Sequence, residues 1–166
     1  IFNLSLVSCP DIQIAQNVYL VRQIVQNVFT FQQKYGIIIY RGGHDMKVIL
    51  MNKNTEVLVA EYNSVSKFFD EIIEIKSIDY APLILNRIYH GEIDEDFKVA
   101  LSDWFKRRGI PAWRDKLDLL LIRLGINRPE ELLDKAFGLS LSDQYWIKPF
   151  NTNVKYDDIN FFEHDF

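Results

Sequence analysis

Apolar positions between residues 11 and 35 recur at the spacing of one face of a helix. Asp11 is placed to cap this helix, and Gly36 follows where a helix terminator is expected. The chain then predicts a short buried strand at 37–40 and a turn at 41–45. A second set of apolar residues widens the helical face, so we expect the helix to be well buried. The first set is Ile14, Val18, Val21, Val25, Val28 and Phe29, and the second is Leu20, Ile24 and Phe31.

Strand patterns follow between residues 46 and 93. Two runs of β-branched residues and leucine come close to strict alternation, and a third alternates charge with isoleucine. A fourth run is short and apolar and follows a break at 79–82. The predicted strands are 46–52, 56–62, 71–75 and 83–85, with a turn at 52–55. The pattern therefore predicts a small, mostly antiparallel sheet.

Helical periodicity takes over between residues 94 and 137. Asp94 is a suitable N-cap for a helix that ends at Gly109, and its first turn is acidic while its last turn is basic. A second helix is predicted from Trp113 to Leu124. A third begins at a capping box, Asn127 with Glu130, and ends before a glycine. Its inward positions are predicted to be Leu132, Leu133, Ala136 and Phe137.

The last stretch, residues 138–166, is rich in aromatic residues that follow no regular period. We therefore expect an irregular arm anchored by large side chains rather than a helix. One interpretation is that the arm covers a groove on its own domain, because buried aromatics most often belong to a core. The other is that part of it contacts a partner. The candidate interaction residues are Asp143, Tyr145, Trp146, Lys148, Asn160, Phe161 and Phe162.

Together these elements predict an α+β fold: a small antiparallel sheet, a helical half, an irregular aromatic C-terminal arm and an extra N-terminal helix. Residues 1–45 form an extension without an assigned role. Residues 46–166 form one subdomain, divided into a sheet at 46–93, helices at 94–137 and the arm at 138–166.

Charge divides the chain at the same place. The net charge is −4 and the sequence pI is about 5.4, which argues against a general nucleic-acid binder. Residues 1–45 carry +1 and the remainder carries −5. A single cysteine, Cys9, excludes an intramolecular disulfide and favours a reducing compartment, so we expect a cytoplasmic protein. No apolar run reaches the roughly 18 residues that a membrane-spanning helix needs.

Catalytic, cofactor and metal motifs are missing from the pattern. The three histidines, His44, His90 and His164, are far apart and lack metal-ligand spacing. Gly42-Gly43 is a turn without the rest of a phosphate-binding loop. The acidic triplet 94–96 is better explained as a helix start than as a pair of catalytic carboxylates. We therefore predict no cofactor, no metal and no catalytic residue in this chain.

Two motifs in the arm carry a resemblance to a known family. They are GLSLSDQYWIKP at 138–149 and DINFF at 158–162, supported upstream by Ile110-Pro111 with Arg114 and Leu117 and by Leu124-Gly125-Ile126. Over residues 46–166 the chain resembles the N-terminal region of HipA-type serine/threonine kinases of Gram-positive bacteria, which belong to toxin–antitoxin systems.

The resemblance implies a non-catalytic module that acts through protein contacts. In the family this region precedes the kinase core, and the phosphate-binding lysine, catalytic aspartate and metal-binding aspartate lie downstream. The expected partner is therefore a kinase core, in the same or a separate chain, with an antitoxin as a further candidate. Kinase activity would require a core that this chain does not contain.

Two other functions remain open from the sequence. One is a free-standing, antitoxin-like regulator of a separate kinase. The other is an excisionase-like DNA-binding protein, because residues 117–137 have the length of a helix-turn-helix. The second of those helices is negatively biased, which phosphate would repel. The cations that could compensate are Lys106, Arg107, Arg108 and Arg114.

Overall fold

A computed structural model of the chain describes residues 45–109, 131, 133–134, 136–140 and 143–160. The predicted N-terminal helix, the strand at 37–40 and the helix from Trp113 to Leu124 lie outside the described residues. So do Arg114, Phe161 and Phe162.

Four antiparallel strands form one sheet, which with two helices makes the α+β fold predicted from the sequence. The strands are β1 (Asp45–Asn52), β2 (Thr55–Asn63), β3 (Phe68–Ile75) and β4 (Tyr145–Pro149), in the order β3-β2-β1-β4. The β1–β2 hairpin closes at the pair Asn52 and Thr55, within one residue of the prediction.

Successive side chains point to opposite sides of the sheet, and over β1, β2 and β4 both sides are buried. The first face packs against the two helices, and the second is covered by residues that flank β4 in the sequence. The first face includes Val48, Leu50, Leu58, Ala60, Tyr62, Phe69 and Ile147. The second face includes Ile49, Met51, Val59 and Trp146, covered by Phe137, Leu139, Val154, Tyr156 and Ile159.

Strand β4 corrects the prediction of an irregular arm. Residues 145–149 pair with β1 from Asn52 to Val48, so the motif that carries the family resemblance supplies a strand. The alternation is present, because Trp146 points to the second face and Ile147 to the first. Aromatic residues on both sides of the strand conceal it in the sequence.

The β2–β3 turn explains why β3 begins at Phe68 rather than at residue 71. The Asn63 side-chain oxygen accepts hydrogen bonds from the backbone N–H groups of Val65 and Ser66, both at 3.0 Å. Lys67 then takes φ +56, so the chain reverses within four residues. Phe68 pairs with Asn63 directly after this turn.

The predicted strand at 83–85 is wrong: these residues begin helix α1 (Leu83–Tyr89). Pro82, with φ −50, stands at its N-cap, where a missing backbone N–H costs nothing. Leu85 is buried, and Ile84 and Ile88 pack beside it at helical spacing. Three apolar residues after a proline were too few to reveal this period.

Helix α2 (Phe97–Lys106) begins two residues later than predicted. Asp96, not Asp94, is the N-cap, and its carboxylate accepts hydrogen bonds from the backbone N–H groups of Lys98 (2.9 Å) and Val99 (3.0 Å). Of the three consecutive acidic residues, only Asp96 lies two and three residues before those donors. Ala100, Leu101 and Phe105 form a buried stripe on this helix.

Candidate protein-binding site

Trp146 was a candidate interface anchor, and the structure places it in the core. Its side chain is 1% exposed, and the indole N–H donates a 2.7 Å hydrogen bond to the backbone oxygen of Lys53 in the β1–β2 turn. The N–H of Tyr156 donates to the Asn54 side-chain oxygen in the same turn, at 2.9 Å. The second face is therefore closed by the chain itself, and Trp146 has no surface to offer a partner.

Arg108, a candidate nucleic-acid contact, holds the fold together instead. Its guanidinium donates two 2.6 Å hydrogen bonds to the Asp143 carboxylate, and further bonds to the backbone oxygens of Gly138 (2.8 Å) and Tyr145 (2.9 Å). It also lies 4.5 Å from the ring centre of Trp104. Because its side chain is only 5% exposed, it cannot reach a phosphate.

Two of the other three cations of the predicted nucleic-acid contact differ from Arg108. Arg107 and Lys106 are exposed, and the Lys106 ammonium lies 5.7 Å from the ring centre of Phe68. Arg114 lies outside the described residues. Of the three members of the predicted basic cluster that the structure describes, Arg108 is the buried one.

Asp143 and Tyr145 also make their contacts inside the domain. Besides binding Arg108, the Asp143 carboxylate accepts a 3.0 Å hydrogen bond from the backbone N–H of Tyr145. The Tyr145 ring meets Trp104 edge-to-face, with ring centres 5.5 Å apart. Burial, and then the nearby Asp143 charge, raise the pKa of the Tyr145 phenol. We conclude that this pair joins β4 to the end of α2.

Lys148 is paired across the sheet. Its ammonium donates to Glu56 at 3.0 Å, and Lys76 donates to the other oxygen of the same carboxylate at 2.6 Å. The hydrogen bonds from Lys76 and Lys148 lower the pKa of Glu56. Lys148 thus already has an anion within the chain.

Asn160, the last predicted interaction residue that the structure describes, is buried. Its backbone N–H donates to the Tyr156 oxygen at 2.9 Å, next to the short 3-10 turn Tyr156–Asp158. Its two predicted neighbours, Phe161 and Phe162, lie outside the described residues.

A buried charged pair escaped the sequence analysis. Asp134 is 3% exposed, accepts a 2.7 Å hydrogen bond from the Tyr62 hydroxyl and forms an ion pair with Lys67. Burial raises the pKa of the Asp134 carboxyl, although both partners favour its ionised form. No local pattern in the sequence links this aspartate to Tyr62, which lies 72 positions earlier.

Within the described part of the chain, an apolar groove beside β3 is a candidate surface for a partner. It has a volume of about 560 Å³ and lies where the second half of β3 faces the end of α1 and the start of α2. Ile73 and Tyr89, two of its lining residues, are 42% and 52% exposed. The rest of its apolar lining is Ile72, Ile75, Ile88 and Phe97.

A β-bulge explains the exposed isoleucine. Val59 pairs with Glu74 and Ala60 with Ile72, so Ile73 has no cross-strand partner. The adjacent isoleucines at 72 and 73 break the strict alternation of a strand, and this was the signal in the sequence for the groove. Sequence analysis assigned all of 71–75 to a regular strand and missed it.

A smaller cavity of about 340 Å³ lies beside α2. It is lined by Ile84, Glu95, Ala100, Asp103, Trp104 and Arg107. Its two carboxylates share the site with the Arg107 guanidinium, so its charge is partly balanced.

The described part of the chain holds no group of three histidine, cysteine, aspartate or glutamate side chains placed to bind a metal ion. No helix within it has the length and apolar character needed to span a bilayer.

Comparison of the chain with protein-family models, with curated proteins and with solved structures gives no match. No family is therefore shown by these comparisons, and the family resemblance remains an expectation from the sequence motifs.

Proposed function

We propose that this chain is a non-catalytic module of a HipA-type serine/threonine kinase system, and that it acts in the cytoplasm by binding a kinase core. The two sequence motifs support the family. The observation that supports protein binding is the apolar groove beside β3, with Ile73 and Tyr89 about half exposed. Exposed apolar surface of this kind favours protein association.

The candidate charged residues Arg108, Asp143 and Lys148 are paired inside the chain, and this favours a protein-binding function over a catalytic one. Arg108 is bound to Asp143, and Lys148 to Glu56. Groups already held by strong internal partners are poor candidates for proton transfer or phosphate binding, because a substrate would have to displace those partners.

The DNA-binding alternative is weakened by the same residue. Phosphate contacts need exposed cations, and the Arg108 guanidinium is buried in the fold. The free-standing regulator remains within the proposal, since it differs only in whether the kinase core is a separate chain.

The test is complex formation with a HipA-type kinase core from the same genome, measured by size-exclusion chromatography and calorimetry. We expect a stoichiometric complex, and no ATP hydrolysis by the 166-residue chain alone. The matched control is the same titration with an unrelated kinase of similar size and charge. Absence of a complex, or ATP hydrolysis by the purified chain, would contradict the proposal.

A further inference from the structure

The border of the β3 groove is strongly acidic. Residues 70–76 and 87–98, the segments that contain its lining, hold seven carboxylates against three cations, Arg87, Lys98 and Lys76, and Lys76 is bound to Glu56 at 2.6 Å. Arg87 is already bound to Glu92 at 3.0 Å, and the Lys98 ammonium is 3.3 Å from the backbone oxygen of Asp70. The acidic residues are Asp70, Glu71, Glu74, Glu92, Asp94, Glu95 and Asp96, and all seven are exposed.

The shape of the strand edge argues against an added strand as the occupant. The backbone N–H of Phe69 donates to the Ser102 hydroxyl at 3.0 Å, so α2 covers the first half of β3. No element in the described ranges pairs with the outer edge of the second half. There the bulge at Ile73 breaks the regular ladder that a further strand would need.

A helix fits the same groove better. The open part of β3, from Ile72 to Ile75, is about 10 Å long at the usual strand rise. This is close to two helical turns, about 11 Å, which present two or three apolar residues at i, i+3 or i+4, and i+7. Such anchors would pack between Ile73 and Tyr89, with the rest of the helix over the acidic border.

From this combination we infer that the groove binds an amphipathic helix of a partner protein whose apolar stripe is flanked by lysine or arginine. This inference rests on the proposed function, because it assigns the surface and the chemistry of the protein contact. Charge excludes the other classes of partner. A second copy would place acidic border against acidic border, and nucleic acid or an anionic membrane would be repelled.

The test uses the full ¹⁵N-labelled chain and a synthetic 18-residue helix of leucine and lysine, with a leucine–glutamate helix of the same pattern as control. We expect saturable amide shifts at Ile72, Ile73, Tyr89 and Phe97 with the lysine helix only. Affinity should fall as salt is raised, because the paired charges lie near solvent. Equal binding of the glutamate helix, or shifts centred on β4, would overturn the inference.

Two matched variants test the apolar contact. Ile73→Asp should weaken binding of the lysine helix by about tenfold or more, the loss typical of a central anchor. Leu83→Asp is the control, because Leu83 is 73% exposed on α1 but does not line the groove. It should change affinity by less than about twofold. Equal losses in both variants would overturn the assignment of the groove.

Two further variants test the charge. The pair Glu71→Lys and Glu74→Lys, made together, should weaken binding by about tenfold and flatten its salt dependence. Asp79→Lys makes a single change at an exposed residue in the 3-10 turn Ile78–Tyr80, away from the groove lining, and should leave affinity nearly unchanged. An unchanged affinity in the double variant would refute the basic partner.

Two outcomes would assign the groove to another occupant, and a third would separate this inference from the proposed function. Self-association of the wild type that Ile73→Asp abolishes would favour a second copy. A nitroxide on Cys9 that broadens the amides of Ile73 and Tyr89 in the free protein would favour the chain's own N-terminal segment. Both would overturn an external partner. A kinase-core complex that Ile73→Asp leaves intact would overturn this inference while leaving the proposed function standing.

Discussion

Gly138 shows at the scale of one residue how tightly the helical and strand halves are joined. Phe137 and Gly138 take φ +55 and +65, and the Gly138 N–H donates to the Leu133 oxygen at 2.8 Å to end the helical segment. The edge of the Phe105 ring lies directly against the glycine: an added Cβ would be 2.3 Å from Cε2. Phe105 cannot move aside, because Tyr62 and Phe69 pack against its ring.

We therefore expect Gly138→Ala to lower the free energy of unfolding by about 2–4 kcal/mol, since backbone strain and overpacking add. Urea denaturation measures the loss. Gly91→Ala is the matched control, because Gly91 has φ +73 but no neighbour within 4 Å of an added Cβ. It should cost only about 1 kcal/mol. Equal losses at both glycines would show that the contact with Phe105 has no effect.

At the scale of elements, Arg108 joins the end of α2 to β4. One guanidinium binds the Asp143 carboxylate and two backbone oxygens, and these acceptors lie 30 to 37 positions later in the chain. The planar fork of arginine provides all four bonds at once, which a lysine ammonium cannot do. Arg108, two residues past the end of α2, thus adds a side-chain link to the backbone pairing that holds β4 beside β1.

Arg108→Lys should lower the free energy of unfolding by about 2–3 kcal/mol, because it leaves buried acceptors unpaired while keeping the charge. Thermal and urea denaturation would measure it. Arg107→Lys is the control on the same turn, and since Arg107 is exposed it should stay within about 0.5 kcal/mol of wild type. If the two variants unfold alike, Arg108 is not the residue that fixes β4.

The elements that the sequence predicted correctly are those whose partners are close in the chain. The β1–β2 hairpin follows from alternation on both sides of a tight turn, and the buried stripe of α2 follows from its helical period. β4 was missed because it pairs with a strand 93 to 101 positions earlier, and sequence pattern alone does not specify such pairing. The groove was missed for a similar reason: the bulge that leaves Ile73 without a partner on β2 depends on how two strands pair, which the sequence pattern does not specify.

At the scale of the whole molecule, the covering of both faces of the sheet has an electrostatic consequence. The helical segment that contains Asp134 packs over the first face of the sheet. This packing removes the Asp134 carboxylate from water. Tyr62 and Lys67 satisfy its carboxylate, and burial still raises its pKa. The two partners lie on or beside β2, so this site ties the helical half to the sheet.

That raised pKa makes stability depend on pH in a defined direction. The folded state holds the Asp134 proton more tightly than the unfolded chain does, so folding takes up a proton between the unfolded pKa, near 3.8, and the higher folded pKa. The contribution of Asp134 to the free energy of unfolding should therefore fall as pH rises through this window. The measurement is the free energy of unfolding of the wild type minus that of Asp134→Asn, determined by denaturation at a series of pH values. This difference separates the contribution of Asp134 from that of Glu56, whose lowered pKa makes stability rise with pH.

Tyr62→Phe sharpens this pH experiment. It removes a hydrogen bond that favours the ionised carboxylate, so the fall in stability should extend to higher pH than in wild type. The lowered pKa of Glu56 should not change in this variant, because Glu56 binds Lys76 and Lys148 rather than Tyr62. A wild-type minus Asp134→Asn difference that rises with pH would mean that Lys67 outweighs burial and lowers the pKa of Asp134.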